Sequence, residues 1–198
     1  MHEEDRRMYE LEYPAPVIRD DSGDGQGPTM IVAMHGYADA GQAVESSADH
    51  LKAALENRQL ASFNSDELID YRSRRPAVTI DNDRALEVEP MDLGLKVLRD
   101  NSGKSFLLLS GPEPDMRWEA FTTAVVKLVE KFDIEDTIML YAAPMPVPHT
   151  RPTVVTAHGT ASRLTEGMVK MDSTMMVPGA AALYIEKALA DKGRTVAG

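Results

Sequence analysis

The sequence predicts a layered α/β fold built on a largely parallel sheet. Three observations predict it. The apolar run TMIVAMHG (29–36) closes on glycine and passes into an amphipathic helix. SFLLLSGPEP (105–114) does the same before the strongest helical stripe in the chain. DTIMLYAAP (136–144) is a third apolar strand, and downstream of it lies the helix PGAAALYIEKALADKG (178–193). Strands and helices that alternate in this way are accommodated by parallel strands with helices on the sheet faces.

The elements follow in chain order. Residues 1–28 read as a flexible tail ending in the Gly- and Asp-rich RDDSGDGQGP, with residues 29–198 forming one α/β domain. Within the tail, Met8, Leu11, Tyr13, Val17 and Ile18 give a weak pattern for an edge element. After the first strand, Asp39 reads as a helix N-cap, and Val44, Ala48, Leu51 and Leu55 recur at helical spacing. QLASFN (59–64) reads as a strand. The stretch 65–90 has no helical stripe, and VTI (78–80) and ALEVE (85–89), split by DNDR, predict a hairpin. MDLGLKVLRDNSGK (91–104) fits neither template clearly. Trp118, Phe121, Val125, Leu128 and Phe132 then form the best helical stripe, with Asp115 as its expected N-cap and Glu119 near the positive end of its dipole. TVVTAHGT (153–160) reads as a strand. Pro178 and Gly193 bracket the last helix as helix boundaries do. RTVAG begins one more strand, so the chain reads as truncated at its C-terminus.

Bulk properties narrow the function. Hydrophobic residues make up 43% and charged residues 27%, an ordinary globular composition. A net charge of −11 argues against nucleic acid and anionic membranes as partners. No apolar run approaches the roughly 20 residues of a membrane span, and the charged start MHEEDRRMYELEY is no secretory signal, which points to the cytoplasm. With no cysteine, disulfides, thiolate metal sites and a cysteine nucleophile are excluded. Twelve methionines supply adaptable core fillers or a pliable binding surface.

Several catalytic motifs fail on inspection. AMHG lacks the Gly-x-Ser-x-Gly elbow that a hydrolase of that kind needs. DNSGKS (100–105) has Leu98 where a P-loop needs glycine, and it precedes a strand instead of following one. GYADAG (36–41) is not a dinucleotide fingerprint. The histidines have no metal-binding spacing, so neither a metal nor a cofactor is indicated.

Loops at strand ends remain, because open α/β sheets bind ligands outside the carboxyl ends of their parallel strands. His35 ends a strand and reads as a half-buried, satisfied histidine or as a binding residue. Asp39 serves as a helix cap or lines the same site. Glu113, with Asp115, places negative charge before a helix, which the dipole alone explains. Trp118 is either core or an interface anchor. Arg72, Arg74 and Arg75 belong to a mixed-charge run that is either a solvated face or a grip for a carboxylate or phosphate. Pro144, Pro146, Pro148 and Pro152 make PMPVPHTRP a stiff extended loop holding His149 and Arg151, with His158 beyond it. Such a loop suits recognition, or serves as a rigid crossover.

GYADAGQA, FNSDELIDYRSRRP, SGPEPDMRWEAF, PMPVPHTRP and AHGT occur in this order, and together they resemble the actinobacterial branch of the proteasome assembly chaperone 2 (PAC-two) family. The resemblance runs from about Met30 to the last helix. It implies a three-layer α/β/α domain with nucleoside-phosphorylase-like topology and a further strand and helical segment beyond Gly198. Eukaryotic relatives pair with another subunit and help to assemble proteasome α rings, and no family catalytic residue exists to map. The leading expectation is therefore a non-enzymatic protein-binding or assembly-chaperone-like protein that self-associates, with proteasome subunits or another protein as partners. The alternative is a nucleoside- or anion-binding enzyme or sensor, with His35, Asp39, Arg74, His149, Arg151 and His158 lining its site. A third reading is a purely structural subunit of a homo-oligomer.

Overall fold

The computed structural model describes residues 8–18, 27–170 and 173–198; the expected flexible segments 1–7 and 19–26 lie outside the described residues. The strands are β1 (Tyr9–Leu11), β2 (Thr29–His35), β3 (Glu56–Phe63), β4 (Val78–Asp81), β5 (Arg84–Val88), β6 (Gly94–Arg99), β7 (Ser105–Pro112), β8 (Asp136–Met139) and β9 (Thr195–Ala197). The helices are α1 (Ala43–Ala54), α2 (Ser65–Leu68), α3 (Trp118–Lys131), α4 (Ser162–Thr165) and α5 (Ala181–Asp191).

Seven strands form one mixed sheet in the order β1-β3-β6-β7-β2-β8-β9. β7, β2, β8 and β9 pair in parallel, whereas β6 is antiparallel to both β3 and β7, and β1 is antiparallel to β3. The sheet is thus parallel through one half and antiparallel through the other. Its centre explains the continuous apolar runs. Met30 and Val32 of β2 and Leu107 and Leu109 of β7 face a core shared with Phe121, Val125, Leu128 and Val129 of α3 and Ile185 and Leu189 of α5. The alternate residues Ala33 and Leu108 face the other way, onto Val44 and Ala48 of α1. A strand covered on both faces has no polar side, so its sequence does not alternate.

The structure departs from the sequence reading in three places. TVVTAHGT (153–160) is not a strand: it makes only the isolated bridges Thr156–Val169 and Gly159–Ala197, because β9 takes the place beside β8. The ambiguous 91–104 stretch contains β6, followed by a tight turn in which Asp100 accepts from the Ser102 and Lys104 amides. Asp115 does not cap α3. Arg117, with φ 58°, takes the capping position, and Asp115 turns toward the β3–β4 connection. The weak pattern in the tail does yield an edge strand, β1, with Met8 and Tyr9 buried.

Candidate binding edge of the sheet

The parallel strands β2, β7 and β8 deliver His35–Asp39, Glu113–Trp118 and Tyr141–Pro152 to one edge of the sheet. The β2 and β8 loops are joined there, with the Ala40 amide on the Ala142 carbonyl at 2.9 Å and the Ala142 amide on the Ala38 carbonyl at 2.8 Å.

Asp39 stands just before a short 3-10 turn, Ala40–Gln42, that precedes α1. Its carboxylate accepts from the Val44 amide at 2.6 Å and the Glu45 amide at 3.2 Å, so it caps α1 from three residues further out than a conventional N-cap. His35 is partly exposed, and its Nδ1 lies 3.7 Å from Glu45 in the first turn of the same helix.

Glu113 follows β7 and is buried. The Tyr37 amide donates to its Oε2 at 3.2 Å and the Ala181 amide to its Oε1 at 2.6 Å. The sequence links Glu113 to the dipole of α3, but the carboxylate sits instead at the start of α5, 68 residues further along. Gly36 permits this approach, since a Cβ there would lie 2.5 Å from Glu113 Oε2.

Asp115 receives the Asp70 amide at 2.9 Å and the Arg74 Nε at 3.2 Å, which fixes the β3–β4 connection to the β7–α3 loop. Arg117 pairs with Glu67 across the same joint. Arg74 is therefore engaged, whereas Arg72 and Arg75 are exposed and form no side-chain ion pair among the described residues. Trp118 is partly buried; its Nε1 donates to the Pro114 carbonyl at 2.5 Å and its ring meets Tyr184 edge-on at 5.3 Å.

The third cluster includes two residues that sequence reasoning missed. Glu186 of α5 is buried, and it accepts from the Tyr141 hydroxyl at 2.7 Å and lies 3.0 Å from His158 Nε2. The rings of Tyr141 and His158 stack at 5.8 Å. The hydrogen bond to Glu186, opposed by burial and helped by the Glu186 charge, holds the His158 imidazole above its ordinary value. Burial first, then the Glu186 charge and hydrogen bond, raises the Tyr141 phenol. Glu186 stands four residues after Ala182 and three before Leu189, inside the apolar stripe of α5, and that position is the signal that marks it.

His149 and Arg151 ride on the exposed proline loop, which carries no regular secondary structure and turns through the Arg151 amide on the Pro148 carbonyl at 2.9 Å. The candidates thus occupy separate clusters along one edge, and His35, His149 and Arg151 do not share a polar contact. Among the described residues no group of three or more acidic or histidine side chains is arranged to hold a metal ion. Among the same residues no helix is long and apolar enough to cross a membrane.

Fold and edge together define a layered α/β protein whose buried edge carboxylates are engaged in holding its own chain. The chain belongs to the PAC2 family, whose profile matches residues 33–198. It is similar to a protein of unknown function from Corynebacterium glutamicum, at 59% identity and a TM-score of 0.93 over 97% of this chain and 71% of that one. A Mycobacterium tuberculosis protein of unknown function is 45% identical with a TM-score of 0.91, over 97% of this chain and 66% of that one. A proteasome-assembly chaperone homologue from Mycobacterium tuberculosis shares the fold at 23% identity, with a TM-score of 0.73 over 85% of this chain and 72% of that one. This chain therefore spans about two thirds of the length of its similar actinobacterial structures. No curated protein matches it.

Proposed function

We propose that this chain is a non-enzymatic, protein-binding member of the PAC2 family with an assembly-chaperone-like role, that it self-associates, and that its further partners are proteasome subunits. A cytoplasmic location and the nucleoside-phosphorylase-like topology implied by the sequence resemblance belong to the same proposal. The observation that carries it is the apolar surface on and after the proline loop. Met145, Val147, Val154 and Val155 are each 40–60% exposed in one stretch of chain. Contiguous exposed apolar surface marks interaction sites, and four prolines restrict the loop before it binds, so little entropy is lost on docking. The carboxylates of Asp39, Glu113 and Glu186 already receive donors from their own chain, which favours a scaffold over a proton-transfer site. The fold-sharing chaperone homologue supports the choice of partner.

The test is to mix the purified chain with purified proteasome α subunits and to follow complex formation by size exclusion with light scattering. A complex is expected, and Met145→Asp with Val147→Asp should weaken it by roughly tenfold or more. No complex, or a complex indifferent to the double substitution, overturns the partner assignment. A nucleoside or phosphate that raises Tm in the wild type but not in Arg151→Ala overturns the non-enzymatic reading in favour of small-molecule binding.

A further inference from the structure

We infer that a cavity at the opposite end of the sheet binds a small oxyanion, a carboxylate or phosphate with a short apolar body, through Arg99 and Arg58. β3 starts there at Glu56, β6 ends there at Arg99 and β7 starts there at Ser105, whereas the other end of β7 leads to Glu113 and the candidate edge. The cavity has a volume of about 260 Å³ and lies between these strand ends and Pro16 and Val17 of the N-terminal segment. Sites for drug-sized ligands run from roughly 300 to 1,000 Å³, so its occupant is smaller than that.

Strand register brings the two arginines together. Arg58 lies opposite Val97, and Arg99 lies opposite Glu56. Residues directly opposite, and residues two apart along a strand, share a face, so Arg58 and Arg99 are diagonal neighbours on one face of the antiparallel pair. Diagonal neighbours stand about 7–8 Å apart, within reach of long side chains, so both guanidinium groups can converge on one ligand. Each presents a planar fork of donors that matches two oxygens of a carboxylate or phosphate.

Their own chain does not use up this charge. Arg99 is partly buried and makes no ion pair among the described residues. Glu56 lies 3.7 Å from Arg58, but both side chains are mostly exposed, at 65% and 74%, and such pairs are weak. Asp100, next to Arg99 in sequence, turns its carboxylate onto the Ser102 and Lys104 amides. The cavity therefore carries a local positive excess in a chain of net charge −11, whose overall field repels anions. The remaining wall sets the body of the ligand. Val97 is buried, whereas Val17 across the cavity is 66% exposed, so an apolar group seated there covers surface that the chain leaves to water.

Thermal melting of the purified chain against concentration series of phenyl phosphate, benzoate and inorganic phosphate tests this, since a ligand of the native state raises Tm by mass action. Phenyl phosphate and benzoate share a body and differ in the anion, so they separate the two ligand chemistries. At least one of them should bind with a Kd of about 1 mM or tighter. Arg99→Gln should weaken that binding at least about tenfold, and Arg58→Gln by about threefold. Arg99→Lys keeps the charge but loses the fork, and should recover only part of the loss. Val17→Asp sets a carboxylate in the mouth at an exposed position, so it should weaken binding whether or not Arg99→Gln folds. Arg151→Ala should bind as the wild type does, because the proline loop follows the other end of the sheet. No Tm rise with either aromatic anion overturns the inference, as does binding indifferent to Arg99→Gln and Val17→Asp, or binding lost in Arg151→Ala. Inorganic phosphate binding as tightly as phenyl phosphate overturns the role given to the apolar wall.

Discussion

Glu113 and Glu186 are the same residue type, at 7% and 8% exposure, and both bear on α5, Glu113 by meeting its first amide and Glu186 by lying within it. They differ in what holds them. Glu113 takes two backbone amides, from Tyr37 and Ala181. Glu186 takes two side chains, the Tyr141 hydroxyl and the His158 ring. Backbone amides carry no charge change near neutral pH, whereas an imidazole does. One joint is therefore fixed and the other adjustable, and the partners decide this, since burial is equal.

The largest effect should come from removing the fixed joint. Glu113→Ala leaves two amides without their acceptor and opens a void, and should cost about 3 kcal/mol in urea unfolding. A loss below about 1 kcal/mol would show that the joint does not hold α5. Gly36→Ala attacks the same joint by crowding: the added Cβ would also lie 2.8 Å from the Glu113 Cβ, and about 1–2 kcal/mol should be lost. At the adjustable joint, Tyr141→Phe removes one hydrogen bond and should cost about 1 kcal/mol.

The smallest effect is the one that separates the two joints, and it is read against pH. The folded His158 titrates above its ordinary value of 6.5, so its contribution is complete below the unfolded value and is lost as pH rises through the folded one. Wild type should thus exceed His158→Gln in stability at acidic pH, with the gap closing above neutrality. The gap should be small, because His158 is nearly half exposed and water screens the pair. A gap that widens with rising pH would contradict the assigned ion pair.

Much of the parallel half was readable from the chain. β2, α1, β7 and α3 show as apolar runs closing on glycine and as stripes at helical spacing, and they fold where those patterns lie. The antiparallel half was harder. Leu93, just before β6, and Leu95 and Val97 within it recur at period two, but Leu98 is apolar on the opposite face and blurs the alternation. Residues 153–160 have strand-like composition, yet strand composition does not guarantee a place in the sheet, and Val154 and Val155 remain exposed. At the edge, Asp39 was legible as a cap because its partners are local. Glu113 and Glu186 were not, because Ala181 and Tyr141 are 68 and 45 residues away from them.

The position of β2 in the sheet has a consequence for how the chain is made. It is an early strand whose two neighbours, β7 and β8, both come later. About 70 residues separate the end of β2 at His35 from the start of β7 at Ser105. At ribosomal rates of about 5–20 residues per second, Met30 and Val32 wait roughly 4–14 s for a strand to pair with. On one face the cover comes early, because α1 follows at once and lays Val44 and Ala48 over Ala33. On the opposite face the α3 residues Phe121, Val125, Leu128 and Val129 come only after β7, so the strand at the centre of the finished sheet gains its full cover late in synthesis.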